Sequence, residues 1–199
     1  MRPLRTVALL GRSTGLAVLE DALIGNPQIE LDAVYTHGRL PKSEGGGERR
    51  ELAAYKELCA QNDIPLHVLD LPEARAVEAF LPAGNIDLMI VLSWKYILSR
   101  EALERVSGCG VNLHRGALPA YPGLNPVRRA IEAGERRVAI TAHRLVEEVD
   151  AGPILATVWL DIDPLRPGRD PDDYAQEVKA RLGPLYAPLA RLAITLAAS

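Results

Sequence analysis

Ile86-Asp87-Leu88-Met89-Ile90-Val91-Leu92 is apolar at every position but one. That is the pattern of a central parallel strand covered on both faces, and it sets the fold class. Upstream, short apolar runs recur at residues 6–10, 29–36 and 65–69, each read as a strand. Residues 16–24 carry Leu16, Leu19 and Leu23 at helical spacing, and residues 51–62 carry Leu52, Tyr55 and Leu58 along one side. Gly11-Arg12-Ser13-Thr14-Gly15 reads as the turn between the first strand and the first helix. Downstream, residues 110–113 supply the next strand. Strands alternating with helices predict an α/β fold, a doubly wound and mostly parallel sheet with right-handed crossovers.

Past that point the rhythm changes. Residues 138–146 and 154–160 are two strands separated by a short polar stretch, which predicts an antiparallel pair near the C-terminal end. The tail from 172 to 198 repeats Val178, Leu182, Leu185, Leu189 and Leu192 at helical spacing. Pro184 and Pro188 interrupt it, so two short helices are expected. Residues 37–50, with three consecutive glycines and no apolar anchor after Leu40, read as one flexible loop.

Composition narrows the function classes. The 199 residues are 48% hydrophobic and 25% charged, enough for one domain spanning 1–199 with a core that needs no disulfide or metal. With 23 basic against 26 acidic residues the net charge is −3, which gives no field for non-specific nucleic-acid binding. Cys59 and Cys109 lack the spacing of a metal or redox motif; one is expected to be buried and both free. The apolar run 7–10 is too short for a signal peptide, and no stretch reaches transmembrane length, so a soluble cytoplasmic protein is expected.

Asn112-Leu113-His114 falls at the carboxyl end of a predicted buried strand. Side chains two apart share a face, so Asn112 and His114 point together, where ligands of open α/β sheets bind. The same spacing would serve a buried polar pair satisfied by neighbouring backbone. Residues 114–126 form a loop rich in turn formers. Further on, Asp150-Ala151-Gly152-Pro153 is a tight turn that could hold a carboxylate at a sheet edge, in a structural or a catalytic role.

Together these segments resemble the folate-dependent formyltransferase family. The family pattern is Asn-x-His-x-Ser-x-Leu-Pro, a Pro-Gly or Arg-Gly turn, a strand, then Asp-x-Gly. It reads here as NLHRGALP from Asn112, YPGLNP from Tyr121 and ITAHRLVEEVDAGPIL from Ile140. The likeness runs from Thr6 to about Leu160, and it departs from the pattern at Gly116, where the family has serine. The resemblance implies a Rossmann-like formyltransferase fold and a catalytic triad of Asn112, His114 and Asp150. Its formyl donor would be 10-formyltetrahydrofolate, with Trp94, Lys95, Tyr96, Ile97 and Leu98 as pterin wall and Val146 and Glu147 beside it.

Formyl transfer is acyl transfer, so an Asn amide and an imidazolium aimed at the formyl oxygen would form an oxyanion hole. Asp150 could keep His114 cationic and accept the amine proton. Gly11, Arg12, Ser13, Thr14 and Gly15, with His37, are candidates for an anionic acceptor. Either they meet it or they form an ordinary strand-to-helix turn. His67 and His143 read as structural, Trp94 as pocket wall or core, and Arg128 and Arg129 as solvated. The expected partner is a small amine, a ribotide or an amino-sugar nucleotide. The alternatives are hydrolysis of the donor, a methionyl-tRNA acceptor, and folate binding without catalysis.

Overall fold

The computed structural model describes residues 2–198. Its seven strands form one sheet in the order β3-β2-β1-β4-β5-β6-β7. β1 (Leu4–Leu10), β2 (Ile29–Thr36), β3 (Leu66–Val68), β4 (Ile86–Leu92) and β5 (Val106–His114) run parallel, while β6 (Arg137–Arg144) and β7 (Ile154–Asp161) are antiparallel additions. The fold is the doubly wound sheet expected, with its antiparallel pair at the C-terminal end.

β4 is central, and its alternate residues feed two separate cores, as the period of a strand requires. Leu88, Ile90 and Leu92 face the larger core, built from α1 (Arg12–Val18), its π-helical continuation Leu19–Leu23, α4 (Pro126–Glu132), α5 (Pro171–Leu182) and α6 (Tyr186–Ala197). Met89 and Val91 face the smaller one with Val7, Leu9 and Tyr35, closed by Leu69, Val77, Leu81 and Ala102 of the connecting turns and α3 (Arg100–Glu104). The polar exception, Asp87, accepts from the Arg5 backbone N–H at 2.9 Å and from the Arg2 guanidinium at 2.8 Å. These bonds hold its carboxyl below the usual carboxylate range.

Several local expectations change. The 11–15 turn shrinks to Gly11 alone, because the chain enters α1 at Arg12 with φ +62°. Gly15 sits inside α1, where an added Cβ would lie 2.5 Å from the Tyr55 hydroxyl of α2 (Leu52–Gln61). The tail forms two helices of 12 residues, separated by the tight turn Gly183–Leu185. Pro184 makes that break, whereas Pro188 lies in the first turn of α6, where a missing N–H is harmless. Both cysteines are buried and free.

Residues 37–50 are held by hydrogen bonds rather than left as open coil. Leu40 N donates to Gly47 O at 2.9 Å and Arg49 N to Gly38 O at 2.8 Å, around the single turn Lys42–Glu44. Arg49 is only 6% exposed and donates from Nε to the Arg39 carbonyl. No helix among the described residues is long and apolar enough to cross a membrane.

Candidate active site

Asn112 and His114 end β5, and the turn after β6 brings Asp150 to them. Asp150 adopts φ +56°, a left-handed conformation that aims its carboxylate back at the sheet. One oxygen, Oδ2, accepts from Gly123 N at 2.8 Å and lies 3.2 Å from His114 Nδ1. The other, Oδ1, accepts from Asn112 Nδ2 at 3.3 Å and lies 3.3 Å from His143 Nε2. The side chains of His114, His143 and Asp150 are 8%, 2% and 7% exposed, so bulk water screens little of this charge.

The turn is fixed by a close backbone crossing. Arg144 N donates to Pro153 O at 2.9 Å, and a Cβ at Gly152 would stand 1.8 Å from the Arg144 carbonyl oxygen. Only glycine lets the chain pass there, and the position of Asp150 follows from it.

His114 has an acceptor on each ring nitrogen: the Asp150 carboxylate at Nδ1, and the Tyr121 carbonyl at 2.8 Å from Nε2. Burial nevertheless lowers its pKa below the ordinary 6.5, and those two acceptors offset the effect only in part. Burial thus opposes the imidazolium expected from the sequence, while the acceptor at each ring nitrogen favours it. For Asp150, burial disfavours the charged form, but bonds from His143 and the Gly123 N–H together with the nearby His114 ring win, and its pKa is lowered. Asp150 is ionised at neutral pH.

His37 is the second buried histidine with a lowered pKa, burial again being the main cause. The sign for stability follows directly. The unfolded chain protonates near 6.5 while native His37 and His114 resist, so stability is full above that value and falls as pH drops below it. Calorimetry should find a flat melting temperature from pH 8 to about 7 and a progressive fall toward about pH 5. A melting temperature that rose on acidification through this range would contradict the burial of these rings.

These groups form one wall of a cleft of about 940 Å³. Trp94, Lys95, Tyr96, Ile97, Leu98, Val146 and Glu147 all line it, as do Asn112, His114 and Asp150. Of the acceptor-side candidates only Arg12 does, and it is paired with Glu44 at 2.7 Å. The Gly11 N–H is taken by the Leu92 carbonyl, Ser13 is exposed, and the Thr14 hydroxyl is buried without a partner. His37 is 3% exposed and stacks on Trp94 at 4.2 Å, with Nδ1 2.8 Å from the Leu69 carbonyl and Nε2 facing the Lys95 N–H. It braces the cleft wall from behind.

Three residues of the cleft escaped sequence reading. His143, read as structural, pairs across the strands with Asn112, whose Nδ2 is 3.0 Å from its Nε2. Residues 138–146 are expected from sequence to pair with 154–160 alone, which leaves no signal for this contact. Arg115 and Lys179 also line the cleft. Arg115 donates from Nε to the hydroxyl of buried Tyr186 at 3.1 Å. Lys179 has its pKa lowered, first by burial and then by Arg115. Among the described residues neither cation has a carboxylate within ion-pair distance, whereas Arg128, expected to be solvated, bridges Glu132 and Asp172.

A sequence model described as "Formyl transferase" matches residues 7–182. A methionyl-tRNA formyltransferase of Magnetococcus marinus is 36% identical over 173 residues, covering 86% of this chain and 53% of that protein. The chain spans about half the length of the curated relatives it matches. Among solved structures, a phosphoribosylglycinamide formyltransferase of Brucella melitensis superposes with TM-score 0.72 at 23% identity, covering 99% of this chain and 97% of that one. A formyltetrahydrofolate deformylase of Pseudomonas syringae pv. tomato gives TM-score 0.70 at 18% identity, over 98% of this chain and 60% of that one. At those identities the two structures speak to fold alone. The family match covers most of the chain, over the same β-strands and turns that bring Asn112, His114 and Asp150 together: this protein belongs to the formyl transferase family.

Proposed function

We propose that this protein transfers the formyl group of 10-formyltetrahydrofolate to the amine of a small anionic acceptor, such as a ribotide or an amino-sugar nucleotide. The observation that carries this reading is the convergence of Asn112, His114 and an ionised Asp150 at the wall of one cleft. That cleft is apolar toward Trp94–Leu98 and cationic toward Arg12, Arg115 and Lys179. Its volume of about 940 Å³ lies within the range of small-molecule sites, which suits a folate beside a second substrate.

Bound there, 10-formyltetrahydrofolate supplies an activated formyl carbon. The Asn112 amide and the His114 ring hold the charge that gathers on the formyl oxygen, at ~3 kcal/mol per donor. Asp150 takes a proton from the acceptor amine and returns it to the departing nitrogen, so one C–N bond forms as another breaks and a single proton changes nitrogen. Arg115 and Lys179, two cations without carboxylate partners among the described residues, favour an acceptor carrying phosphate or carboxylate.

The 36% identity to a methionyl-tRNA formyltransferase favours a second reading, in which the acceptor is an aminoacyl-tRNA. The net charge of −3 supports the small acceptor instead. The test has two stages. In a W159F background, where Trp94 is the sole tryptophan, a folate analogue should quench fluorescence; no binding at millimolar analogue sinks the reading. Turnover of 10-formyltetrahydrofolate should then be negligible until an amine is added. Brisk turnover in buffer alone assigns hydrolysis, and turnover only with methionyl-tRNA assigns the second reading.

A further inference from the structure

The loop 115–125 folds back over the site. Tyr121 N donates to Ala117 O at 2.8 Å, the Tyr121 hydroxyl donates to Glu135 at 2.7 Å, and Arg129 reaches the Pro122 carbonyl. Thr141 of β6 clamps the root of the loop by donating to the Gly116 carbonyl at 2.7 Å. The result is that a backbone carbonyl, that of Tyr121, occupies His114 Nε2.

Gly116 decides whether this closure can form. A Cβ at 116 would stand 2.7 Å from His114 Nε2, 2.7 Å from the Tyr121 carbonyl oxygen and 2.6 Å from Pro126 Cβ. All three are contacts that real side chains do not make, and two of the three atoms are the two ends of the hydrogen bond itself. Any other residue at 116 therefore pushes the ring and the carbonyl apart. Behind the loop lies a separate cavity of about 130 Å³, bordered by Ala117, Ala120, Tyr121 and Val138, which leaves room for the loop to draw back.

We propose that Gly116 is a positioning residue: its missing side chain lets the Tyr121 carbonyl stand in for a substrate carbonyl on His114, and the incoming formyl oxygen binds by displacing it. In the resting protein His114 is thus held in its working orientation with its Nε2–H donor satisfied, so a buried group is not left unpartnered. On binding, one carbonyl acceptor replaces another at the same nitrogen. The proposal rests on the formyl-transfer reading for the identity of the incoming group, but not for the resting contact. The charged and titratable groups facing the ring are Asp150, His143 and Arg115.

Two measurements test it. In 15N-edited NMR at neutral pH, wild-type protein should show the His114 Nε2 proton protected from water. In G116A, with circular dichroism unchanged, that proton should exchange at least ~10-fold faster, and the ring should titrate lower, because the lost carbonyl favours the protonated ring. A protected proton and an unmoved titration in a folded G116A overturn the proposal. If G116A does not fold, the second measurement stands on wild-type protein. A folate analogue carrying a 10-formyl group should shift the Nε2 proton and speed exchange of the Tyr121 amide, while the same analogue without the formyl group should do neither. Equal effects of the two analogues also overturn it. Failure of the formyl-transfer reading would look different: neither analogue would bind, yet the G116A result would hold.

Discussion

Replacing Asp150 by Asn should lower formyl turnover at least ~100-fold, the usual scale of acid–base and electrostatic terms. The substitution keeps the shape, yet it removes the one ionised group at the junction of His114, His143, Asn112 and the Gly123 N–H. Among the described residues no other carboxylate lies within ion-pair distance of His114 or His143. An amide at 150 also turns an NH2 toward one of the two neighbouring imidazoles. Folate affinity should change far less, since the polar partners of this carboxylate are Asn112, Gly123, His114 and His143 rather than the Trp94–Leu98 wall. Steady-state kinetics with saturating amine, paired with a binding titration, separates the two quantities. Turnover within tenfold of wild type would remove Asp150 from the chemistry.

Gly152→Ala should be as damaging by a different route. The methyl group would meet the Arg144 carbonyl oxygen at 1.8 Å and its carbon at 2.8 Å, both backbone atoms of β6 that cannot step aside. The turn must open, breaking the Arg144 N–H to Pro153 O bond and carrying Asp150 away from both histidines. A loss on the order of 3 kcal/mol of stability is expected, in the range of backbone strain and broken buried networks. Turnover should fall with it, even at temperatures where the variant remains folded. Denaturant unfolding and turnover measured on the same sample check this; a G152A protein of wild-type stability would mean that the crossing is looser than the carbonyl contact implies.

Much of this architecture was legible in the chain because periodicity and sterics are local. Ile86–Leu92 and Ile29–Thr36 read correctly to the residue, the first because a strand buried on both faces must be apolar almost throughout. Asn112 and His114 share a face by strand geometry alone. Other features were not local. His143 joins the site because β6 runs antiparallel beside β5 and sets it opposite Asn112, a register that no short window contains. His37 reads as the mouth of a glycine-rich loop, but tertiary packing against Trp94 and Tyr96 turns it inward. The direction of the His114 pKa shift was not legible for a similar reason. A neighbouring aspartate argues for a cation, whereas the burial that outweighs it is a property of the assembled fold.

The last helix rests on the first. Leu189, Ala190, Ala193 and Ile194 of α6 share a core with Val18, Leu19 and Leu23, while Arg191 reaches the Asp21 carbonyl and Thr195 the Gln28 side chain, separations of 170 and 167 residues. The consequence is kinetic. Contacts of that span close late, after most of the loop entropy between them has been lost, and they slow folding relative to a helical bundle of equal size. Until α6 docks, the apolar flank of α1 and the part of the larger core that α6 covers stay open to solvent. Chains in which that flank is still exposed are the ones with apolar surface free to self-associate.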